Sequence, residues 1–557
     1  MRLAGFTIAL AGIFAGSALG QTPTVTGLLN NYSNTLPGLP NYGIAQGSIF
    51  VIYGTNFSTT TTPLQSPPPA TLGGVTINVT VNGTATTPLF YYLFPTQIAA
   101  VLPSATPVGT GTITVTTSAG TSAPFAIQVV ESAFGLLTSN NGSGPAQGYD
   151  ASIDASNQYV LFSFSEAVNP GDILELWGTG LGPVPNDATG VAVSPTAQVF
   201  IGGISATVQY SGRSAFTGLD QINVVVPKGL SGCYVSVVVQ TGNYVSNFAT
   251  LPVAASGRTC LDTNNFLTTS ILDQISSTGS LSVGFITMSQ LTTPGITVGG
   301  VTVGGGTTDT ASATFEKITA SQFTAGAFAA ALGFNSIGSC LVEAFNTTST
   351  SSVTAPLTFQ FTLLNAGPDV NISGPDGVIA MPLSTITGNY LSPLAGASFI
   401  PASGGTFTFN NGSGGPDVGA FTTPQVQIGS SVTWLNTSGL ATVTRSNGLT
   451  VTWTGGEAGS YVGVTGVSLT GITTNANSYL AGLFSCQAPV SAGTFTVPPA
   501  VLLSLPPSTT LSESGVTIPL GFLVLSNSAT PTTFSAPNLD VGLVEANVEN
   551  ILYVTYQ

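Results

Sequence analysis

The chain has 557 residues, of which 43% are hydrophobic and only 5% charged, and its 6 Lys+Arg stand against 21 Asp+Glu for a formal charge of −15. So few basic groups cannot supply the electrostatic footprint that nucleic acid demands, and they disfavour an anionic membrane surface as well. The length exceeds what one core organises and predicts about three or four folded units, while 30 Phe and 15 Tyr argue for packed cores and against disorder.

In chain order, residues 1–20 read as a secretory signal peptide: Arg2, an apolar run from Leu3 to Phe14, then Ala18-Leu19-Gly20 at the cleavage site. The mature chain is expected to begin at Gln21 and to be secreted, extracellular or held at the cell surface. No membrane span is expected, because no later window offers the roughly 18 apolar residues that a helix needs.

The phrase GSIFVIYGTNF at 47–57 returns as GDILELWGTGL at 171–181. The same shift of 124 positions carries Gly54 to Gly178, and Gln97, Ile98, Val101 and Pro103 onto Gln221, Ile222, Val225 and Pro227. A domain duplication follows, with copies over 21–131 and 132–254. Each copy holds short apolar or alternating runs, such as VTINVTVNG, separated by Gly, Pro and Asn turns, and this predicts an antiparallel β-sandwich. The succession PGDILELWGTGL, VFIGGISATVQY, LDQINVVVP and VVVQTGNYVSN resembles the Ig-like TIG (IPT) fold. It is more closely similar to a tandem repeat of uncharacterised secreted bacterial proteins. The resemblance covers residues 22–254 and implies a binding or spacing module; it brings no catalytic residues.

Residues 255–395 predict a β-rich unit with one or two short helices, over 265–279 (Ile271, Leu272, Ile275) and 319–335 (Phe323, Ala327, Phe328, Ala331, Leu332, with Gly333 as C-cap). Residues 396–557 return to alternating strands, including GTFTVPPAVLLSLP and a hairpin in LATVTRSNGLTVTW that turns at Asn447-Gly448. The sequence leaves open whether 255–557 is one unit or two. The fold class expected is mainly β: two tandem Ig-like β-sandwiches followed by a β-rich C-terminal region. Four cysteines suggest two disulfides. A hairpin through Gly242 sets Cys233 opposite about Leu251, a short stretch before Cys260, which favours Cys233 with Cys260 and Cys340 with Cys486; Cys260 with Cys340 stays open.

Histidine is absent, which removes Ser-His-Asp and Cys-His nucleophiles and HExxH zinc sites. No P-loop, GxSxG elbow or Ser-x-x-Lys pair occurs. Paired carboxylates remain, with Glu166, Asp172 and Glu175 as the local cluster. Asp150 and Asp154 in GYDASIDASNQY, and Asp369 and Asp376 in LNAGPDVNISGPDG, are candidate calcium ligands, weighed against the plainer reading of Asp side chains bonding their own turn backbones. No other cofactor is expected. Trp177, Trp434, Trp453, Tyr91 and Tyr92 are candidates for a sugar-stacking platform, although strand pattern places Trp177 in the core and Trp434 and Trp453 on one buried sheet face. These readings converge on a non-catalytic extracellular binding or adhesion protein with a glycan or protein ligand. The alternatives are a self-associating structural or spacer protein of the envelope and a carbohydrate-active enzyme.

Overall fold

The computed structural model describes residues 21–153, 160–262, 278–298, 301–303, 305–319, 335–346, 360–393, 399–401, 403–429, 431–471, 479–513, 516–528 and 532–557. The leader, Asp154, the helix candidate at 265–279 except for its last residues, and all but the ends of that at 319–335 lie outside them. The chain is mainly β.

The duplicated phrase forms the same strand twice. Ile49–Thr55 pairs antiparallel with Gln97–Val101, setting Ile52 opposite Ile98 and Tyr53 opposite Gln97. Ile173–Thr179 pairs with Asp220–Val225, setting Leu176 opposite Ile222 and Trp177 opposite Gln221. The two registers are therefore the same residue for residue. Gly54 and Gly178 recur because the neighbouring strand passes too close for a side chain: a Cβ at Gly54 would overlap the carbonyl oxygen of Thr24, and one at Gly178 the ring of Phe134.

In the first copy, one layer runs Thr24–Asn30, Ile49–Thr55, Gln97–Val101, Leu89–Leu93, and the other is built on Phe125–Val130, Gly109–Thr117 and Thr76–Val81. Leu28, Phe50, Ile52, Ile77, Val79 and Ile98 fill the space between them. In the second copy, strand Ile204–Arg213 serves both layers. Its start, to Ala206, pairs with Gln198–Ile201 and its end, from Thr207, with Asp220–Val225, the latter pairing carrying a bulge between Val208 and Tyr210. Leu174, Leu176, Val199, Ile222, Val237 and Leu251 form that core.

The copies are joined by buried polar contacts. Thr179 Oγ1 donates to Gly218 O (2.6 Å) and accepts from Ile49 N (2.8 Å), while Asn30 Nδ2 donates to Ala133 O and Thr179 O. Beside them, Arg213 Nη1 meets Asp220 Oδ1 at 2.6 Å, and both side chains are about wholly buried (1% and 0% exposed). Asp220 Oδ2 also accepts from the amides of Gly180 and Leu181. Burial outweighs these partners and pushes the Asp220 carboxyl up to about 6.

Beyond residue 278 the largest sheet runs in the order Cys340–Asn346, Tyr479–Pro489, Tyr461–Gly471, Gly521–Ser528, Val541–Tyr556, Ser280–Thr293, Gly306–Thr319, Gln360–Leu363, with smaller sheets beside it, among them one of Asp369–Gly374, Gly377–Pro382, Gly405–Asn410 and Val426–Ile428. The C-terminal strand pairs in parallel with Ser280–Thr293 from Val541 to Asn550, so position 395 does not separate two independent sheets. Val238, Val245 and Phe248 of the second copy belong to the same apolar cluster as Val451, Trp453, Val464, Phe484 and Leu525, which docks the sandwich on this region. Cys340 lies opposite Cys486 on adjacent strands and is bonded to it; Cys233 is bonded to Cys260.

Two local expectations are corrected. Asn447-Gly448 does not close a hairpin: Thr442–Val443 pairs in parallel with Val541–Tyr556, whereas Leu449–Gly455 pairs with Val432–Trp434 and Thr494–Val497. Arg445 holds the intervening turn elsewhere, donating to the Leu505 carbonyl at 2.6 Å. Within GTFTVPPAVLLSLP, the strand stops at Val497 and Pro499–Leu503 form a short α-helix with Pro at its first position, where a missing N–H costs nothing.

Candidate functional site

The alternation along Ile173–Thr179 buries Leu174 and Leu176 and turns Ile173, Glu175 and Trp177 to the outer face of the second sandwich. Trp177 is half-buried there, which corrects its expected place in the core. The order of strands then assembles a row across the sheet. Tyr149 lies opposite Glu175, Glu175 opposite Asn223, and Asn223 opposite Tyr210, with Trp177 beside Gln221 two residues along. All six side chains are half-buried.

Glu175 organises the row. One carboxylate oxygen accepts the Trp177 indole N–H at 2.9 Å and the other accepts the Tyr149 hydroxyl at 2.5 Å. The two rings meet edge to face with centroids 5.7 Å apart. Each ring loses its freedom to rotate, which lowers the entropy cost of binding against it. Gln221 Nε2 donates to Asn223 Oδ1, and the Tyr210 hydroxyl donates to Arg213 O. Burial raises the Tyr210 hydroxyl, with Asp220 adding to the shift and Arg213 opposing it. The face thus offers rigid aromatic surface bordered by amides and one carboxylate, with no Lys or Arg side chain in the row.

The other sequence candidates fall elsewhere. Trp453 is buried and donates to Val490 O, and Trp434 lies opposite it at the edge of the same cluster, as their alternation predicts. The Tyr91 hydroxyl donates to Thr217 O across the joint between the copies. Tyr92 stacks on Phe94 with centroids 4.5 Å apart.

The acidic candidates do not gather. Arg258 bridges Asp150 (Nη2, 2.9 Å) and Asp172 (Nη1, 3.1 Å); Asp154, the other expected calcium ligand of this stretch, lies outside the described residues. Burial raises the Asp150 carboxyl, against the pull of the Ser152 amide and Arg258. Asp369 and Asp376 stand at opposite ends of one hairpin, Asp369 opposite Pro382 and Asp376 in the turn between Gly374 and Gly377. A strand of that length separates them by roughly 20 Å, too far to share an ion. Glu166 is exposed. Among the described residues no group of three or more acidic or Cys side chains is placed to hold a metal.

Sequence reasoning missed Tyr149, Tyr210, Gln221 and Asn223. The signal for Trp177 was present: Leu174 and Leu176 claim one face, so Glu175 and Trp177 must take the other.

No protein-family model matches the chain, and no curated protein matches it. Solved structures similar to it include a Bacteroides thetaiotaomicron protein of unknown function (10% identity, 40% of this chain and 46% of that one, TM-score 0.15). Also similar are SGBP-B of a Bacteroides ovatus mixed-linkage glucan utilization locus in complex with a mixed-linkage heptasaccharide (12%, 86% and 98%, TM-score 0.14) and SGBP-B from a Bacteroides uniformis xyloglucan utilization locus (14%, 67% and 87%, TM-score 0.14). The chain spans about half the length of the first. TM-scores this low leave function to be read from the chain's own residues.

Proposed function

We propose that the chain is an extracellular, non-catalytic binding protein, built in part from TIG-type modules, that holds a neutral carbohydrate polymer against the outer face of its second sandwich. The observation that carries this is the Tyr149–Glu175–Trp177 group: two aromatic rings locked by one carboxylate on the outer sheet face. Aromatic faces pack against the C–H faces of sugar rings, and the flanking amides of Gln221 and Asn223 match hydroxyls. The leader sequence and the two disulfides support an oxidising, extracellular location. Support for a non-catalytic role comes from the acids themselves. Both Glu175 oxygens are engaged, and Asp150 and Asp172 are tied to Arg258. The test is retention of the chain from Gln21 on a panel of insoluble and gel-embedded neutral polysaccharides, with Trp177→Ala as the variant. Binding that the variant abolishes supports the reading, and equal retention of both proteins sinks it.

A second reading, a self-associating envelope component, is favoured by one observation. Phe361 (59% exposed) and Leu363 (46%) lie on a strand at the end of the large sheet order, with Leu391 also exposed. Such an edge invites pairing with another chain. Concentration-dependent sedimentation would favour it, and a monomer at all concentrations would remove it.

A further inference from the structure

Loops from both sandwiches and the C-terminal region meet around a cleft of about 320 Å³. That is the small end of the range for small-molecule pockets, about 300–1,000 Å³. Amides and hydroxyls, Asn34 and Asn41 from the first copy and Asn141 and Ser143 from the second, line it beside apolar Leu39, Phe248 and Val342. Glu343 and Phe345 stand on strand Cys340–Asn346 at the edge of the large sheet. Phe345 is 47% exposed, a large ring left open beside polar groups.

The loops are fixed in place. Asn34 Nδ2 donates to Asn141 O (2.8 Å) across the two copies, and Asn41 Nδ2 donates to Val245 O (2.9 Å). Asn41 is thereby anchored as a wall of the cleft, with its Oδ1 buried behind it. Glu343 reaches solvent, yet the protein mass around it raises its carboxyl. No Lys or Arg side chain lines the cleft, so an anionic ligand would find no counter-charge.

We propose that this cleft is a second ligand site, taking a short neutral oligosaccharide whose hydroxyls donate to Glu343 and whose ring packs on Phe345. The proposal rests on reading the protein as a carbohydrate binder, and it divides the work: the outer face takes an extended polymer, the cleft a short segment or chain end. Ligand at a junction of three parts also holds them together, so occupancy stabilises the joint.

The experiment is calorimetric titration of the chain from Gln21 with neutral tri- and tetrasaccharides of several linkages, alongside acidic counterparts. Phe345→Ala and Glu343→Gln test the cleft; both sites are exposed, and unchanged thermal melting confirms folding. The expected result is binding of a neutral oligosaccharide that Phe345→Ala weakens about tenfold, as loss of a ring contact does. No oligosaccharide binding, binding indifferent to both cleft variants, or preference for the acidic sugars would overturn the cleft. The outer-face reading falls on a different result, polymer retention unaffected by Trp177→Ala.

Discussion

The duplicated phrase ends each time in a glycine that the partner strand crowds, and substitution there tests the shared architecture directly. At Gly178 an added methyl would sit 2.5 Å from the Gly135 carbonyl and overlap the ring of Phe134, which is itself buried. Real contacts of this kind need more than 3 Å, so strands Gly135–Leu136 and Ile173–Thr179 must separate or the ring must leave its place. Overpacking of this sort costs about 1–3 kcal/mol, and the lost backbone pairing adds about 1 kcal/mol. Gly178→Ala should therefore lose roughly 3 kcal/mol, and Gly54→Ala, where a Cβ would overlap Thr24 O, a similar amount. Gly171 is the control: its φ is +98° but nothing lies near an added Cβ, so Gly171→Ala should cost only about 1 kcal/mol. Denaturant unfolding with hydrogen exchange assigned to 132–254 reads the difference, which is roughly 10 °C in melting temperature for the larger effect. Equal tolerance of all three substitutions would refute the claim that close strand approach fixes the repeat.

Other consequences follow from buried charge and covalent links. Arg213→Met leaves Asp220 buried without its cation and should cost about 3–5 kcal/mol near neutral pH, with part recovered at pH 5 as Asp220 protonates; a loss independent of pH would contradict this. In the parent, burial raises Asp220 to about 6, and raises Asp150, Asp262 and Glu549 as well. A carboxyl whose folded pKa lies above its unfolded one contributes stability that is complete below the unfolded value near 4 and lost as pH climbs through the folded value. The melting temperature should thus be higher at pH 5 than at pH 7.5, and a fall on acidification would show the sign to be wrong. Arg258→Ala should destabilise by leaving Asp150 and Asp172 face to face, whereas a calcium chelator should leave the parent's melting unchanged; calcium-dependent melting of the parent would support the metal expectation. Cys340→Ser opens a link across a sequence separation of 146, and loop-closure entropy sets that loss at about 5 kcal/mol under oxidising conditions, readable by denaturant titration.

Local pattern carried much of this architecture. The shift of 124 positions between the copies predicted a common strand register, because register follows the alternation of buried residues. The same alternation placed Trp434 and Trp453 inward. It would have placed Trp177 outward had the face claimed by Leu174 and Leu176 been weighed above the bulk of the indole. What the sequence did not reveal is pairing over long separations. Ser280–Thr293 finds its parallel partner in Val541–Tyr556, so strands from the two ends of the region 280–557 share a sheet whatever its composition shifts suggest. The Asn447-Gly448 signal lost to a distant contact, Arg445 on the carbonyls after the short helix. The partner of Asp150 and Asp172 was hidden for the same reason, since Arg258 lies far along the chain from the carboxylates it bridges.

Trp177, held by Glu175 on the outer sheet face, carries the proposed carbohydrate binding. The most direct test is affinity electrophoresis of the chain from Gln21 and its Trp177→Ala form through gels containing neutral polysaccharides. Retardation of the parent in at least one polymer and free migration of the variant, with both melting alike, is the expected result. Free migration of the parent in every polymer, or equal retardation of the two, would contradict it.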